Sequence, residues 1–413
     1  MKPNLKILVA MTALAVVSCG TQRKAVKDDK KVADTQKVAP EVSVKSEAPV
    51  KFASRDNAEG RLAFGLSLFN AAVANSYEDA NVVVSPYSAG AALSMLADGA
   101  AGETKEELVN ALRKSSYSGS VPSAEKGYII SSANSAWIRK GFPVNADYRI
   151  LLEKNYSAKI AERDFSSRAT VNEINKWCSD KTAGRIPEII DQINPDMMMF
   201  LINALYFKAP WEYQFDKNDT FDSDFHSPAG DQTVPFMHIS REFPCGEIEG
   251  CKFVFLPYKS GEYQMAICLP SEGMSISSML PHVTSSMFES ALNQATTRKV
   301  ALSMPKFKVN TTAVLNSVLM SLGVEKAFSK GADFSSITSA GVAVDQVKQK
   351  CFVEVNEKGA EAAAVTSVGV RLTSVGPVER MFVMNVDRPF VFAIFNTGSN
   401  DILFAGRITT VEN

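Results

Sequence analysis

The order of the predicted helices and strands indicates an α+β domain built on large antiparallel sheets. Helical patterns fall mostly in the first half of the chain, whereas most segments beyond residue 230 have strand patterns. No repeat of about 20–50 residues, the signature of a solenoid or propeller, is present. The 413 residues, 46% of them hydrophobic and 22% charged, have the composition of a globular protein.

Local patterns place the individual elements. Apolar periodicity predicts a first helix over 56–78, and Asn81–Ser85 predicts a short strand. Pro86 predicts a helix start, because Pro is favoured at the first helical position, and Thr104–Glu107 has the shape of a capping box. The helix that starts at Pro86 runs through Ala89–Gly99, and further helices are predicted at Thr170–Asp180 and Thr311–Leu322. Further strands are predicted at Tyr128–Arg139, Met198–Phe207, Lys252–Pro257, Gln264–Leu269, Lys299–Met304, Cys351–Val355 and Val391–Phe395.

Charge and histidine content exclude several functions. The chain carries 44 Lys+Arg against 45 Asp+Glu, a formal charge of −1, so no broad electrostatic affinity for nucleic acid is expected. Its three histidines, His226, His238 and His282, lie far apart in the sequence. A His-rich metal site or a His-based catalytic triad is therefore not expected, and we predict neither a metal nor a cofactor.

The first residues predict a lipoprotein signal peptide over 1–18. Lys2 and Lys6 precede an apolar run that is shorter than the ~18–20 residues needed to span a bilayer. Ser18-Cys19 at its end resembles the lipobox of bacterial lipoproteins, which implies that Cys19 carries the lipid and anchors the chain to a membrane. The predicted location is the bacterial cell envelope, on an outer membrane, facing the periplasm or the cell surface. An ordinary signal peptide cleaved nearby, or an uncleaved anchor, is the alternative.

Residues 19–55 predict a flexible tether, followed by one domain over 56–413. Residues 20–51 contain no aromatic side chain and cannot bury enough surface to order themselves. Of the five cysteines after Cys19, we expect Cys178, Cys268 and Cys351 to be small buried residues. A disulfide between Cys245 and Cys251 is left open, and the spacing is too irregular for a zinc site.

Several further segments recur together in one protein family. They are Asn81–Ser88 with Ala92–Met95, Gly99–Thr104, Ile174–Trp177 with Thr182–Ile186, Asn203–Trp211 with Phe215, Leu256–Tyr258, Met304–Phe307, Arg388–Phe392 and Leu403–Arg407. In this order and spacing they resemble the serpins, from about residue 58 to 409. The resemblance implies a monomer with a large central antiparallel sheet, two further sheets, about eight to nine helices and an exposed reactive-centre loop. Together with the lipobox, it implies an inhibitory bacterial serpin lipoprotein.

The same resemblance implies a reactive loop at about 357–377. Its hinge comprises Glu357, Gly359, Ala360, Glu361, Ala362, Ala363, Ala364, Val365 and Thr366. In the family, a target protease cleaves this loop as a substrate. The cut loop then inserts into the central sheet and drags the acyl-linked protease with it, which deforms the protease before it can hydrolyse the ester. The resemblance therefore implies an inhibitor of serine proteases, with cysteine proteases as a further class, and we do not expect an enzyme.

The loop residues themselves have the pattern of a strand that can enter a sheet. One face of such a strand is buried, and the corresponding positions are all small or apolar. These positions are Ala360, Ala362, Ala364, Thr366, Val368, Val370 and Leu372. No Pro interrupts 359–376, so each amide can join a ladder. Taken alone, the segment also fits an Ala-rich helix or a linker, and a non-inhibitory serpin acting as a binding or chaperone-like module is the alternative function.

The family's usual spacing indicates the bond that is cut. It lies fourteen residues after the hinge glycine, which gives Thr373–Ser374. Threonine at this position suits elastase-like or subtilisin-like proteases. Arg371 would attract trypsin-like proteases, whose acidic pocket pairs with Arg, and Leu372 suits chymotrypsin-like or cysteine proteases. Arg371–Leu372 is therefore the second candidate bond.

Two regions that support the hinge are also implied by the resemblance. Ser85, Ser88 and Asn203 match the shutter region, whose polar groups hold the sheet strands until they part. Gln349 stands where relatives commonly have His, so a pH-sensitive shutter is not expected. Lys306 matches the cation of a salt bridge to the hinge glutamate at the top of the sheet.

An enzyme is the main rival class. Ser123 and Lys126 have the spacing of the S-x-x-K motif of penicillin-binding proteins, and Lys181-Thr182 resembles part of their K-T-G motif. The third motif, S-x-N, is missing in the right order, and no G-x-S-x-G elbow is present. The enzyme reading is therefore not favoured.

Overall fold

A computed structural model of the chain describes residues 57–118, 129–259, 261–360 and 381–412. The predicted signal peptide and tether lie outside these ranges, as does Cys19. The helices of the described residues are α1 (Ala58–Ala74), α2 (Pro86–Gly99), α3 (Gly102–Ala111), α4 (Ala146–Tyr156), α5 (Arg168–Lys181), α6 (Ile276–Met279), α7 (Ser285–Gln294) and α8 (Asn316–Ser321). None of them is both long enough and apolar enough to cross a membrane.

The strands form two sheets. They are β1 (Val82–Val84), β2 (Ile129–Arg139), β3 (Lys159–Arg163), β4 (Met199–Pro210), β5 (Thr220–Ser227), β6 (Gly230–Ile248), β7 (Cys251–Pro257), β8 (Tyr263–Pro270), β9 (Thr296–Pro305), β10 (Phe307–Val314), β11 (Lys348–Asn356), β12 (Gly359–Ala360), β13 (Phe382–Asn385), β14 (Phe390–Asn396) and β15 (Ile402–Ile408). This combination of helices and large sheets is the α+β class that the sequence predicts.

The six-stranded sheet has the order β10-β11-β12-β4-β2-β3. Most of its ladders are antiparallel, but β2 pairs with β3 in parallel, so the sheet is mixed. Strand β12 consists of two residues and pairs antiparallel with both of its neighbours, β11 and β4. Strands β4 and β11 therefore run in the same direction on either side of it.

The nine-stranded sheet is organised by the long strand β6. The first half of β6 pairs with β5 and much of its length pairs with β9, whereas its last residues pair with β7. The family resemblance implies two further sheets beside the central one. In the structure, β6 joins the strands of both into a single nine-stranded sheet. On its far edge β13 pairs with β9, and on the other side β8, β14, β15 and β1 follow in order.

Two features of the helices differ from the sequence prediction. Helix α3 begins after Ala101, which makes no side-chain capping bond, so Thr104–Glu107 is not a capping box. The two side chains instead hold distant backbone: Thr104 Oγ1 accepts a hydrogen bond from the amide of Asp333 at 2.9 Å. The Glu107 carboxylate accepts from the amide of Lys326 at 2.7 Å.

The helix predicted over Thr311–Leu322 is also wrong in its first part. The chain continues as strand β10 to Val314, because every residue from Phe307 to Val314 pairs with a residue of β11. Only Asn316–Ser321 is helical. The apolar spacing of this segment fits either element over a short window, and the ladder with β11 decides between them.

The sheet register decides whether Cys245 and Cys251 form a disulfide, and the structure also gives the burial of the cysteines. Cys245 lies opposite Val254, and Cys251 lies opposite Ile248, so the two thiols are not cross-strand neighbours. Both thiols are free, as are the three other cysteines of the described residues. Cys178 and Cys351 are buried, whereas Cys268 is only partly buried.

Candidate functional site

The predicted hinge begins inside the six-stranded sheet. Gly359 pairs with Asn356 of β11 on one side and with Pro210 of β4 on the other. Ala360 pairs in the same way with Val355 and Ala209, and its side chain is 3% exposed. The hinge residues Gly359 and Ala360 thus already occupy the position of a strand between β4 and β11.

Glycine is required at position 359. Its φ of +140° is a conformation that L side chains rarely adopt. A Cβ added there would lie 2.1 Å from the carbonyl oxygen of Ala209 and 2.7 Å from the Cα of Pro210. The backbone of the hinge therefore approaches β4 more closely than any side chain permits.

Glu357, the first residue of the predicted hinge, lies in the turn between β11 and β12, and several contacts hold this turn in place. Lys306 Nζ lies 3.1 Å from Glu357 Oε1, and the Glu357 side chain is 7% exposed. Burial raises the pKa of the Glu357 carboxyl, but a backbone hydrogen bond and Lys306 outweigh it, and its pKa lies below the ordinary value. Trp211 contributes two further bonds: its amide donates to the carbonyl of Lys358 at 2.9 Å, and its indole Nε1 donates to Asn356 O at 3.0 Å.

The predicted shutter residues Ser85 and Gln349 meet below the hinge. The Ser85 amide donates to Gln349 Oε1 at 2.8 Å, and Gln349 Nε2 donates back to the Ser85 carbonyl at 2.9 Å. Ser85 also caps α2, since its Oγ accepts from the Ser88 amide at 3.3 Å. Gln349 is 4% exposed, so this reciprocal pair ties α2 to strand β11 in a dry environment.

The Cys351 thiol belongs to the same buried group. Its Sγ donates to Gln349 Oε1 at 3.4 Å, and burial raises the pKa of the thiol to about 12. The thiol therefore stays protonated near neutral pH and is a poor nucleophile while the sheet is intact.

Asn203 lies across the sheet, on β4. Its Nδ2 donates to Asn134 Oδ1, and Asn134 Nδ2 in turn donates to the carbonyl of Tyr156 at 2.9 Å. Asn203 Oδ1 is buried and has no hydrogen-bond partner among the described residues. An unsatisfied buried carbonyl costs free energy, so a donor placed beside this atom would stabilise the sheet.

A cavity of about 320 Å³ lies at the lower ends of β4 and β11. Its walls include Asp196–Met199 on the β4 side and Gly341–Val347 on the β11 side. Ala92 and Leu96 of α2 form part of its floor. Sequence patterns do not predict this cavity, because its two walls are more than a hundred residues apart in the chain.

The remaining predicted site residues lie outside the described residues. These are the hinge positions Glu361, Ala362, Ala363, Ala364, Val365 and Thr366, and the candidate cleavage residues Arg371, Leu372, Thr373 and Ser374. Within the described ranges, no three His, Cys, Asp or Glu side chains converge in a way that could hold a metal ion. The sequence also missed Asn134 and the anchoring role of Trp211, which only the pairing of β2, β4 and β12 brings to the site.

Comparison with known proteins identifies the family. The family model of the serpins, described as serine protease inhibitors, matches residues 59–411. A serpin-like protein of Thermococcus kodakarensis is 32% identical over 343 residues, 79% of this chain and 80% of the relative. The thermophilic serpin tengpin in its native state is 30% identical with a TM-score of 0.79, over 86% of this chain and 94% of tengpin. Thyroxine-binding globulin in complex with thyroxine is 25% identical with a TM-score of 0.76, over 86% and 99%.

The chain therefore belongs to the serpin family. This confirms the predicted family and fold class. Membership supports a general function in protease inhibition, and serpins are generally inhibitors rather than catalytic enzymes.

Proposed function

We propose that this serpin is inhibitory and traps proteases by inserting its cleaved loop between β4 and β11. The observation that carries the proposal is the position of β12, which holds the hinge residues Gly359 and Ala360 between these parallel strands. In the described residues no ladder joins β4 to β11 directly, so β12 alone bridges them. A longer strand that continues β12 would form backbone hydrogen bonds with the facing edges of β4 and β11.

The register of β12, continued residue by residue, supports this proposal. Gly359 and Ala360 pair with Pro210 and Ala209, so each later residue would pair one position further back along β4 and along β11. Thr366 would then lie between Asn203 and Gln349. It is the one polar residue among the inward-facing positions of the loop, and its hydroxyl is a donor suited to the unpartnered Asn203 Oδ1.

The same register carries the end of the loop to the cavity. Continued to the ends of its neighbours, this strand would place Ser367 opposite Lys348, the first residue of β11, and Val370 opposite Met199, the first residue of β4 and part of the cavity wall. Leu372 and Thr373 lie two and three residues beyond Val370, so they would extend past the end of β4 toward the cavity. A cut after Thr373 would therefore release a strand that extends three residues beyond the end of β4, whereas a cut after Arg371 would leave only one residue beyond it.

Insertion would be strongly favourable. Each new ladder bond contributes about 0.5–1.5 kcal/mol net, and burial of the Val and Leu side chains adds to this. A native state that withholds this free energy is stable kinetically and not thermodynamically. This is the driving force that a trap for an acyl-linked protease needs.

The finer features of the proposal come from the sequence. We propose Thr373–Ser374 as the cleaved bond and elastase-like or subtilisin-like proteases as targets, with Arg371–Leu372 serving trypsin-like proteases and cysteine proteases as a further class. We further propose that the chain is a bacterial lipoprotein held through Cys19 at the outer membrane, facing the periplasm or the cell surface. The tether over 19–55 would let the serpin domain reach proteases beside the membrane.

One gel tests the inhibitory mechanism. The protein is incubated with pancreatic elastase, subtilisin and trypsin, each active or with its catalytic serine blocked. We expect a complex that survives SDS with at least one active protease and with no blocked one, and N-terminal sequencing of the released fragment identifies the cut bond. Cleaved product without a complex would instead support a non-inhibitory binding module, the function that the likeness to thyroxine-binding globulin represents.

A further inference from the structure

Three sulfur-containing side chains lie together where β7 and β8 meet the short helix α6. Cys268 Sγ lies 3.7 Å from the Sδ atom of Met279, the last residue of α6. The side chains of Cys251 and Cys268 form a hydrogen bond with each other. Cys251 and Met279 are fully buried, whereas Cys268 is partly exposed. The function proposed above uses none of these side chains.

The sheet register disfavours a disulfide between the two cysteines. Cys251 lies opposite Pro270, and Cys268 lies opposite Phe253, so the cysteines are diagonal neighbours on the same face of the sheet. Diagonal neighbours are about 7–8 Å apart, whereas the Cα atoms of an unstrained disulfide usually lie about 4.4–6.8 Å apart. A disulfide would therefore strain the two strands, and both thiols remain available as ligands.

The spacing of the sulfur atoms fits a shared metal ion. Metal–sulfur bonds of about 2.3 Å place two ligands of one ion about 3.7–4.0 Å apart, in tetrahedral or trigonal geometry. The sulfur atoms of Cys268 and Met279 already have this separation. A contact of 3.3 Å between His282 Nδ1 and Glu249 Oε2 joins the turn after α6 to the turn before β7, so Met279 is held against the strands.

The chemistry of these donors selects a soft monovalent ion. Thiolate and thioether sulfur both bind Cu(I), whereas the ligands of zinc are Cys, His, Asp and Glu side chains. Binding releases one thiol proton to solvent for each Cu(I), so the buried cluster stays neutral, as burial requires. A divalent ion would need both thiolates for the same balance. An ion can reach the cluster through Cys268, which is partly exposed and also lines an apolar cavity of about 50 Å³ beside α7.

We propose that Cys251, Cys268 and Met279 form a binding site for Cu(I). The bound ion would cross-link β7, β8 and α6 and stabilise this part of the nine-stranded sheet, whether or not the chain inhibits proteases. The sequence prediction of no metal concerned His-rich and zinc sites, and a site of two thiols and a thioether is of a different kind. It is also compatible with the lack of three converging His, Cys, Asp or Glu side chains in the described residues, because its third donor is Met.

The test measures how much Cu(I) the full chain takes from its bicinchoninate complex under nitrogen. The site variants are Cys268→Ser and Met279→Leu, of which the second removes the sulfur atom and keeps the volume of the side chain. The matched control is Cys245→Ser, which changes a fully buried cysteine on the neighbouring strand β6. A second control, Cys19→Ser, removes the thiol of the predicted lipid-bearing residue. Zn(II) is titrated in parallel as a divalent probe.

We expect wild type and both controls to take up one Cu(I) per chain and Cys268→Ser to take up none. Met279→Leu should lose at least about tenfold in affinity, the loss that even an outer-shell partner of a metal causes. X-ray absorption should count three sulfur neighbours of the copper in wild type and two in Met279→Leu. Cu(I) should raise the melting temperature of wild type, because it binds the folded state, and should leave that of Cys268→Ser unchanged.

Several results would overturn the proposal. They are the absence of uptake by wild type, equal uptake and an equal sulfur count in wild type and both site variants, and Zn(II) binding as tight as that of Cu(I). A disulfide between Cys251 and Cys268 after treatment with oxidised glutathione, found by peptide mapping, would show that the pair is a redox site instead. If Cys268→Ser melts at a lower temperature without metal, Met279→Leu decides the outcome, because it preserves the packing.

Discussion

The substitution Ala360→Arg tests the insertion mechanism at the first residue that faces inward. Ala360 is 3% exposed and lies between Val355 of β11 and Ala209 of β4. A guanidinium at this position has no carboxylate opposite it in either strand and would be buried without a partner. The hinge then leaves the sheet, or it enters only at a large cost.

The magnitude follows from the burial of an unpaired charge. Such a charge costs about 3–5 kcal/mol, and 3 kcal/mol slows a step roughly a hundredfold. After cleavage, the acyl-linked protease either is carried along by insertion or hydrolyses its ester and leaves. Because the variant slows only the first route, we expect it to be cleaved as a substrate while trapping almost none of the protease.

The assay is a titration of a fixed amount of protease with wild type, Ala360→Arg and the control Ala360→Ser, read by residual activity and by gel. Ser is small and uncharged, so the control should trap nearly as well as wild type. The melting temperature of the uncleaved variants separates a folding defect from an insertion defect. If Ala360→Arg traps protease at the same stoichiometry as wild type, the hinge does not enter the sheet as a strand and the reasoning is refuted.

Three further outcomes follow from the contacts around the hinge. Lys306→Met should lower stability at neutral pH by about 1–3 kcal/mol, because it leaves the buried Glu357 carboxylate without its cation. The native pKa of Glu357 is depressed, so the carboxylate stabilises the fold above its ordinary pKa of 4.5. This stabilisation is lost as the pH falls through the native pKa. The stabilities of Lys306→Met and wild type, measured by denaturant melts, should therefore converge in acid. Gly359→Ala should lower the melting temperature and raise the inhibitor consumed per protease, because a Cβ would collide with β4, and an unchanged melt would contradict the close approach. Gln349→Leu should cost about 1–3 kcal/mol in denaturant melts by leaving the Ser85 amide and carbonyl unpaired, and an equal stability would show that water replaces the side chain.

The position of the hinge came from the family resemblance, and the structure places Gly359 and Ala360 in a sheet. The alternation of small residues from Ala362 onward, which predicts an inserting strand, lies outside the described residues and stays a prediction. The pairing of Ser85 with Gln349 across 264 residues could not be inferred from spacing and came only from the family resemblance.

Other features depended on tertiary contacts that no local pattern records. Thr104 and Glu107 have the chemistry of a capping box, but distant backbone amides compete for their oxygen atoms, and α3 begins without them. The segment from Thr311 has the apolar spacing of a helix, but Thr311–Val314 forms a strand because it pairs with β11. The unpartnered Asn203 Oδ1 and the cavity between Asp196–Met199 and Gly341–Val347 depend on segments that are distant in the chain, which no local pattern records.

The two ends of the loop are anchored in different sheets, and this has a consequence for the cleaved protein. Gly359–Ala360 belongs to the six-stranded sheet, whereas Phe382–Asn385 belongs to the nine-stranded one. Cutting the loop therefore changes the connectivity of the polypeptide but breaks no ladder among the residues that the structure describes. The fragment from Ser374 to the C-terminus contains β13, β14 and β15, which pair with β9, β8 and β1. It is held only by non-covalent pairing, so the cleaved protein should remain one particle in native mass spectrometry and separate into two chains only in denaturant.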